Sequence, residues 1–189
     1  IYSLGVSTYE MLTGKFPREA AQATTRPDGS FELEVPVWSS DGTSWHLSVV
    51  GGFDFDPGYA EKTQQRVRDL GLSNQVQFLG MLSEDQLIGQ LEQSDLLCMP
   101  FSYEGFGIAI VEAMAFGLPA LCSVDGAAVE TVKHGSNGFL FSAAQNNELG
   151  SIITELHQHR NQLKKLSLAA YGTATSKPGW SQTAAVIEQ

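Results

Sequence analysis

The chain has 189 residues, a formal net charge of -10, 42% hydrophobic residues and 17% charged residues. That length supports one well-buried core, and the composition is that of a folded globular protein rather than a disordered one. The acidic balance, with no run of Lys and Arg, excludes a phosphate-backbone groove, so no nucleic-acid partner is expected and any phosphate-bearing ligand must be held locally.

The sequence opens at Ile1 inside an apolar stretch and reads as a fragment. Residues 1–44 show no α/β rhythm and are expected to form an irregular connector or a remnant of a preceding domain. Within them, IYSLGVSTYEMLTGKFP resembles the part of a protein-kinase C-lobe that contains its buried helix, although no kinase catalytic or metal-binding loop appears in the sequence. A tyrosine-bearing helix left over from a preceding domain is the other reading. In TRPDGSFELEVPVW, turn residues at Pro27 to Gly29 precede alternating Phe31, Leu33 and Val35, which predicts a short hairpin or edge strand.

From Trp45 onward short apolar runs alternate with amphipathic stretches, the pattern of a parallel sheet covered by helices. Strands are expected at Trp45 to Val50, Val76 to Leu79, Leu96 to Pro100, Pro119 to Ser123 and Gly138 to Phe141. A helix is expected over Gly58 to Leu70, stopped by Gly71, and another behind Ser83, whose cap is reinforced by Glu84 and Asp85. Asn147 to Leu168 reads as one amphipathic helix, and Pro178-Gly179 separates it from a last short helix starting near Trp180. The domain is thus bounded at 45–176, with 177–189 as a C-terminal helix. Cys98 and Cys122 fall in strands that read as buried, where a thiol acts as a small hydrophobe. No run reaches the length of a membrane span and no signal peptide opens the sequence, so a reducing cytoplasm is the expected compartment.

The informative block runs from Ser102 to Phe141, SYEGFGIAIVEAMAFGLPALCSVDGAAVETVKHGSNGFLF. A loop carries Glu104, and Gly105 and Gly107 let backbone approach a ligand at the start of a helix. That helix, roughly Gly107 to Phe116, is apolar on nearly every face and should be largely buried, so Glu112 stands out in it. Backbone N–H groups at the helix start can hold a phosphate, while the two carboxylates suit polyol hydroxyls. A carboxylate, a phosphate site and a second carboxylate in this order describe a nucleotide-sugar pocket, with the sugar near Glu104 and the ribose near Glu112.

The same residues resemble the motif of family 4 retaining glycosyltransferases of the GT-B fold. EGFGIAIVE carries the paired glutamates, and GLP at Gly117 to Pro119, DGAAVE at Asp125 to Glu130 and HGSNG at His134 to Gly138 follow in the family's order. Upstream, SVVGG at Ser48 to Gly52 and LGLSNQVQFLG at Leu70 to Gly80 also fit, so the resemblance covers about 135 residues. It implies an α/β fold, a Rossmann-like parallel sheet with helices on both faces, forming the C-terminal, donor-binding half of a GT-B enzyme.

The resemblance also implies roles. Glu104 and Glu112 are the residues carried over as catalytic, Glu104 touching donor-sugar hydroxyls and Glu112 holding the ribose. Gly105, Phe106, Gly107 and Ile108 would serve the sugar and distal phosphate, Gly51 and Gly52 would border the nucleotide, and Met81 with Gly80 would lie against the base. The family's glycine-arginine and lysine-glycine phosphate loop is not found, and Lys15 and Arg18 are its closest candidates. Glu130 reads equally as a helix-surface residue, and His134 as a loop residue rather than a base. No cofactor is implied, and the four scattered histidines suggest metal-independent chemistry. The implied partners are a UDP- or GDP-sugar donor, a carbohydrate or glycolipid acceptor and a missing N-terminal GT-B domain, with the parent enzyme at the inner membrane face. Rival readings are a non-catalytic sugar-nucleotide-binding module, a different GT-B enzyme such as a phosphorylase or epimerase, and a kinase-derived fragment.

Overall fold

The computed structural model describes residues 9–14, 22–25, 31–34, 45–54, 56–100, 107–142 and 148–176, the first three groups at backbone level. In chain order the elements are β1 (Tyr9–Gly14), β2 (Gln22–Thr25), β3 (Phe31–Glu34), β4 (Trp45–Val50), α1 (Pro57–Asp69), β5 (Val76–Gly80), α2 (Glu84–Gln93) and β6 (Leu96–Met99). They continue as α3 (Ile108–Ala115), β7 (Ala120–Ser123), α4 (Ala128–Thr131), β8 (Gly138–Phe141), α5 (Glu148–Gln158) and α6 (Arg160–Ser176).

Six strands form one sheet in the order β5-β4-β1-β6-β7-β8. The pairs β4–β5, β6–β7 and β7–β8 are parallel, while β1 is antiparallel to both β4 and β6. Every strand from β4 on therefore points the same way and β1 runs against them. Each parallel step is made through a helix, as a parallel ladder requires.

Period-two alternation divides the core between the two faces of this sheet. Trp45, Leu47, Leu96, Cys98, Leu121, Phe139 and Phe141 face a cluster completed by α5 and the start of α6, with Val67 and Leu70 packed on it from the α1 side. Val50, Leu97, Met99, Ala120 and Cys122 face the other, completed by Leu91 of α2, the buried side of α3, and Ala128 and Val132 at α4. Helices thus cover both faces, as the α/β reading expects. The two cysteines are buried in adjacent strands but on opposite faces of the sheet, so the reading of both as core residues holds.

Two parts of the chain depart from the sequence expectation. Residues 9–14 form a central strand, not the helix that either reading of IYSLGVSTYEMLTGKFP contains, so the N-terminal stretch contributes a strand to the domain. Its β-branched content is low and its neighbours in the sheet lie far along the chain, so local pattern could not reveal it. The hairpin around Pro27 to Gly29 is present as β2 paired antiparallel with β3. At the other end, the single amphipathic helix expected over Asn147 to Leu168 is two helices, α5 and α6, joined at His159. His159 N–H donates to Glu155 O at 2.8 Å, closing α5, and its carbonyl accepts from Gln162 N at 2.8 Å and Leu163 N at 3.3 Å, opening α6. Nothing in the apolar spacing marks such a joint. The helix expected from Trp180 lies outside the described residues.

Local signals that were strong in the sequence are built as read. Ser83 caps α2 in a reciprocal box, its Oγ accepting from Gln86 N at 3.4 Å while Gln86 Oε1 accepts from Ser83 N at 3.0 Å. Ser83→Ala is expected to lower stability by about 1 kcal/mol, read as a shift of the urea midpoint at unchanged slope.

Candidate functional site

In an open α/β sheet, ligands bind beyond the carboxyl ends of the strands where the direction of winding reverses. Here β4 is followed through α1 by β5 on one side, and β5 through α2 by β6 on the other. The reversal therefore lies between β4 and β6, and β1 fills the interval with its Tyr9 end opposite Val50. The residues that follow β4, β5 and β6 lie at this edge.

Gly51 and Gly52 leave the end of β4, and Gly51 N–H donates to Gly80 O at 3.0 Å, tying this turn to the end of β5. The Met81 side chain lies over Gly52, with its Sδ 3.5 Å from where a Cβ would stand. Met81 itself is 77% exposed, an unusual position for a large thioether and one that leaves it open to a flat partner. Phe53 supports the turn from behind, meeting Phe78 edge-on at 6.2 Å between ring centroids. The structure thus brings Gly51, Gly52 and Met81 together.

Beyond β6, Gly107 sits at φ 76°, ψ 33°, a left-handed conformation that favours glycine, and it starts α3 without any side-chain cap. No acidic residue lies in the first turn of α3, so no carboxylate of the helix itself opposes an anion at its positive end. Ile108 is about half exposed at this start, while Ala109, Ile110, Ala113 and Met114 pin the rest of the helix to the core. Glu112 corrects one expectation. Although α3 is largely buried, Glu112 projects from its exposed side, because the buried stripe is confined to the positions that face the sheet and α6. An exposed carboxylate on an otherwise apolar helix carries little desolvation cost and is reachable by hydroxyls.

Glu104, Gly105 and Phe106 of the preceding loop, and Lys15 and Arg18 of the N-terminal segment, lie outside the described residues. Among the described residues no group of three or more His, Cys, Asp or Glu could hold a metal ion.

Further along the same edge, the loop after β7 is held by Ser123, whose Oγ donates to Asp125 Oδ2 at 3.1 Å and accepts from Asp125 N at 3.2 Å. Glu130 is exposed on α4. His134 is a loop-closing residue in this structure: its Nδ1 lies 3.2 Å from Leu140 N and 3.0 Å from Leu140 O, and its ring stands edge-on to Phe139. The residue that sequence reading passed over is Asn137, only 1% exposed. Its Oδ1 accepts from Lys133 N at 2.7 Å and its Nδ2 donates to Thr131 O and Thr173 Oγ1, both at 3.0 Å. One amide therefore joins α4, the turn before β8 and α6. In the sequence Asn137 precedes a glycine and signals only a turn.

Comparison with known proteins agrees with this geometry. The family profile described as glycosyl transferases group 1 matches residues 35–173. The MMP alpha-(1->4)-mannosyltransferase of Mycolicibacterium hassiacum is 32% identical over 132 residues, covering 67% of this chain and 32% of that protein. The GDP-mannose-dependent alpha-(1-6)-phosphatidylinositol monomannoside mannosyltransferase of Mycobacterium tuberculosis is 27% identical over 148 residues, 75% of this chain and 37% of that one. Among solved structures, Anabaena HepE in complex with UDP and glucose superposes with a TM-score of 0.67 at 28% identity, over 75% of this chain and 40% of that chain. The chain spans about a third of the length of the curated relatives it matches. With the α/β sheet, the glycine turns at its carboxyl edge and a profile match over most of its length, this chain belongs to the family of group 1 glycosyl transferases.

Proposed function

We propose that the chain is the donor-binding half of a retaining hexosyltransferase of glycosyltransferase family 4, with the nucleotide-sugar held at the carboxyl edge of the sheet between β4 and β6. The observation that carries this reading is the convergence on one edge of the Gly51–Gly52 turn, the exposed Met81 beside it and the start of α3 at the left-handed Gly107, with the exposed Glu112 further along that helix. The base lies against Met81, the ribose hydroxyls meet Glu112, and the diphosphate meets the N–H groups at Gly107 and Ile108. Glu104, Gly105 and Phe106 serve the sugar. UDP and GDP are the leading nucleotide candidates, because a structural relative was crystallised with UDP and a sequence relative is GDP-mannose-dependent.

In the reaction the acceptor hydroxyl forms a bond to the anomeric carbon as the bond to the diphosphate oxygen breaks, on the same face. The acceptor proton passes to the departing diphosphate, so no covalent enzyme intermediate is needed. This chain's share is positioning and the placement of helix-end N–H groups where negative charge builds. The acceptor, carbohydrate or glycolipid, is held by an N-terminal GT-B domain, and no metal or cofactor takes part. We place the enzyme in the cytoplasm, with the parent protein at the inner face of the membrane.

Calorimetric titration of the chain with UDP, GDP, ADP and their sugar conjugates tests the reading. Saturable binding of one nucleotide is expected. A folded chain that binds none of them overturns donor binding. The alternative is a non-catalytic binding or interaction module, favoured by the lack of the family's glycine-arginine and lysine-glycine pattern in the sequence. Nucleotide binding without sugar transfer by the full-length parent protein selects it.

A further inference from the structure

Charge is distributed unevenly over this chain. It carries 21 acidic residues, yet none falls between Leu156 and Ser176, the stretch that holds α6 and the cations Arg160, Lys164 and Lys165. On a helix at about 100° per residue, positions 160, 164, 165, 168 and 171 fall within an arc of roughly 140°. All of them are exposed, whereas Leu163, Leu166 and Ala170 on the opposite side are buried. The outer arc is not merely polar. Leu168 is 67% exposed and Tyr171 53% exposed, two of the most exposed large apolar side chains among the described residues.

The inner side of α6 fixes this arc in place. Ser167 closes over Gly117 behind α3, with its Oγ 3.1 Å from where a Cβ would stand, and Thr173 receives the Asn137 amide. At the other end Arg160 Nη2 lies 2.8 Å from Asp95 Oδ1, anchoring the start of the helix to the loop before β6. α6 therefore cannot roll to hide Leu168 and Tyr171 without breaking these contacts. The chemistry of the arc, long flexible ammonium groups around a leucine and a tyrosine on a convex helix, suits a fluid anionic surface: lysines reach phosphates while the apolar side chains enter the headgroup layer. A structured acidic protein would call for several fixed, bidentate donors, whereas the one guanidinium on this arc, Arg160, is tied to Asp95 and the other cations are lysines. No helix among the described residues is long and apolar enough to cross a membrane, so the contact is one of a helix lying on the surface.

We propose that the outer arc of α6, formed by Lys164, Lys165, Leu168 and Tyr171, is a docking face for an anionic lipid surface. This deepens the peripheral placement proposed above by naming the residues that make the contact, and it is independent of donor binding.

The test is co-sedimentation of the chain with vesicles of phosphatidylcholine or of phosphatidylglycerol. Binding is expected to the anionic vesicles only, and to weaken as salt is raised. Lys164→Glu with Lys165→Glu should lower the partition coefficient by about thirtyfold or more, the scale of two lysines at an anionic surface. Leu168→Ser should weaken binding in the same direction, while Lys62→Glu with Arg66→Glu on α1, an equal change in net charge, should leave most of it. The milder Lys164→Gln with Lys165→Gln, checked by circular dichroism, separates loss of contact from loss of fold. Equal binding to both vesicle types, equal loss in the α1 variant, or no binding by a folded chain overturns the proposal. So does retention on immobilised polyglutamate without vesicle binding, which assigns the face to an acidic protein. If the parent protein still fractionates with membranes when both lysines are changed, the peripheral placement stands and α6 is not its contact.

Discussion

Gly138→Ala is expected to destabilise the chain by about 3 kcal/mol or more, at the upper end of what overpacking a core costs. For a domain of this size that lowers the melting temperature by roughly 6–12 °C. Gly138 opens β8 directly opposite Ala120 of β7, and a methyl group there would overlap the Ala120 carbonyl oxygen and come within 3.0 Å of both Ala120 N and Val132 Cγ1. Two of those three neighbours are backbone of a fully buried strand, so no side chain can turn aside to make room. Relief would require moving β8 away from β7, loosening the ladder and the packing of Phe139 and Phe141. The control is Gly89→Ala in α2, where an added Cβ meets nothing within 4 Å, so stability should rise by about 0.5–1 kcal/mol from helix propensity alone. Thermal and urea denaturation of the two variants side by side check both expectations. Equal and small effects would show that the approach of β8 to β7 is not tight.

The contrast between those two glycines shows where the sequence was legible. In HGSNG both the glycine and the asparagine look like turn residues, yet Gly138 is required by a neighbour 18 positions earlier and Asn137 by Thr173, 36 positions later. Contacts of that kind leave no local period. Strands β4 to β8 were legible because each is a short apolar run bounded by polar or glycine residues, and the alternation that divides Leu96 and Cys98 from Leu97 and Met99 follows from the pleat. β1 was not, because YEMLTG has no alternation of its own and is placed by partners on both sides. The site was legible in part. The order of glycines and carboxylates locates the edge, and the structure assembles Gly51, Gly52 and Met81 there, but the exposure of Glu112 depends on which side of α3 meets α6. That is a packing choice an all-apolar helix does not announce.

That exposure makes Glu112 the sharpest probe of the proposed donor site. Under the proposal its carboxylate accepts from the ribose hydroxyls, and a hydrogen bond to a charged group contributes about 1.5–3 kcal/mol. Glu112→Ala is therefore expected to weaken binding of the preferred nucleotide roughly 10- to 150-fold by calorimetry. Thermal denaturation of the same variant, expected to show a folded chain because Ala109, Ile110, Ala113 and Met114 still hold α3 to the core, separates loss of the nucleotide contact from loss of fold. Glu112→Gln keeps the shape and one acceptor but not the charge, so it should fall between wild type and alanine. Glu130→Ala, a second exposed carboxylate on the short helix α4, gives the comparison at another place on the same edge. A tenfold or larger loss for Glu112 with little change for Glu130 places the ribose at α3. Loss at Glu130 and not at Glu112 would move the nucleotide toward β7, and the Ser123–Asp125 loop would then border it. Equal, small effects from both would mean that binding rests on the helix-start N–H groups and the glycine turns alone, and the carboxylate half of the proposed site would be withdrawn.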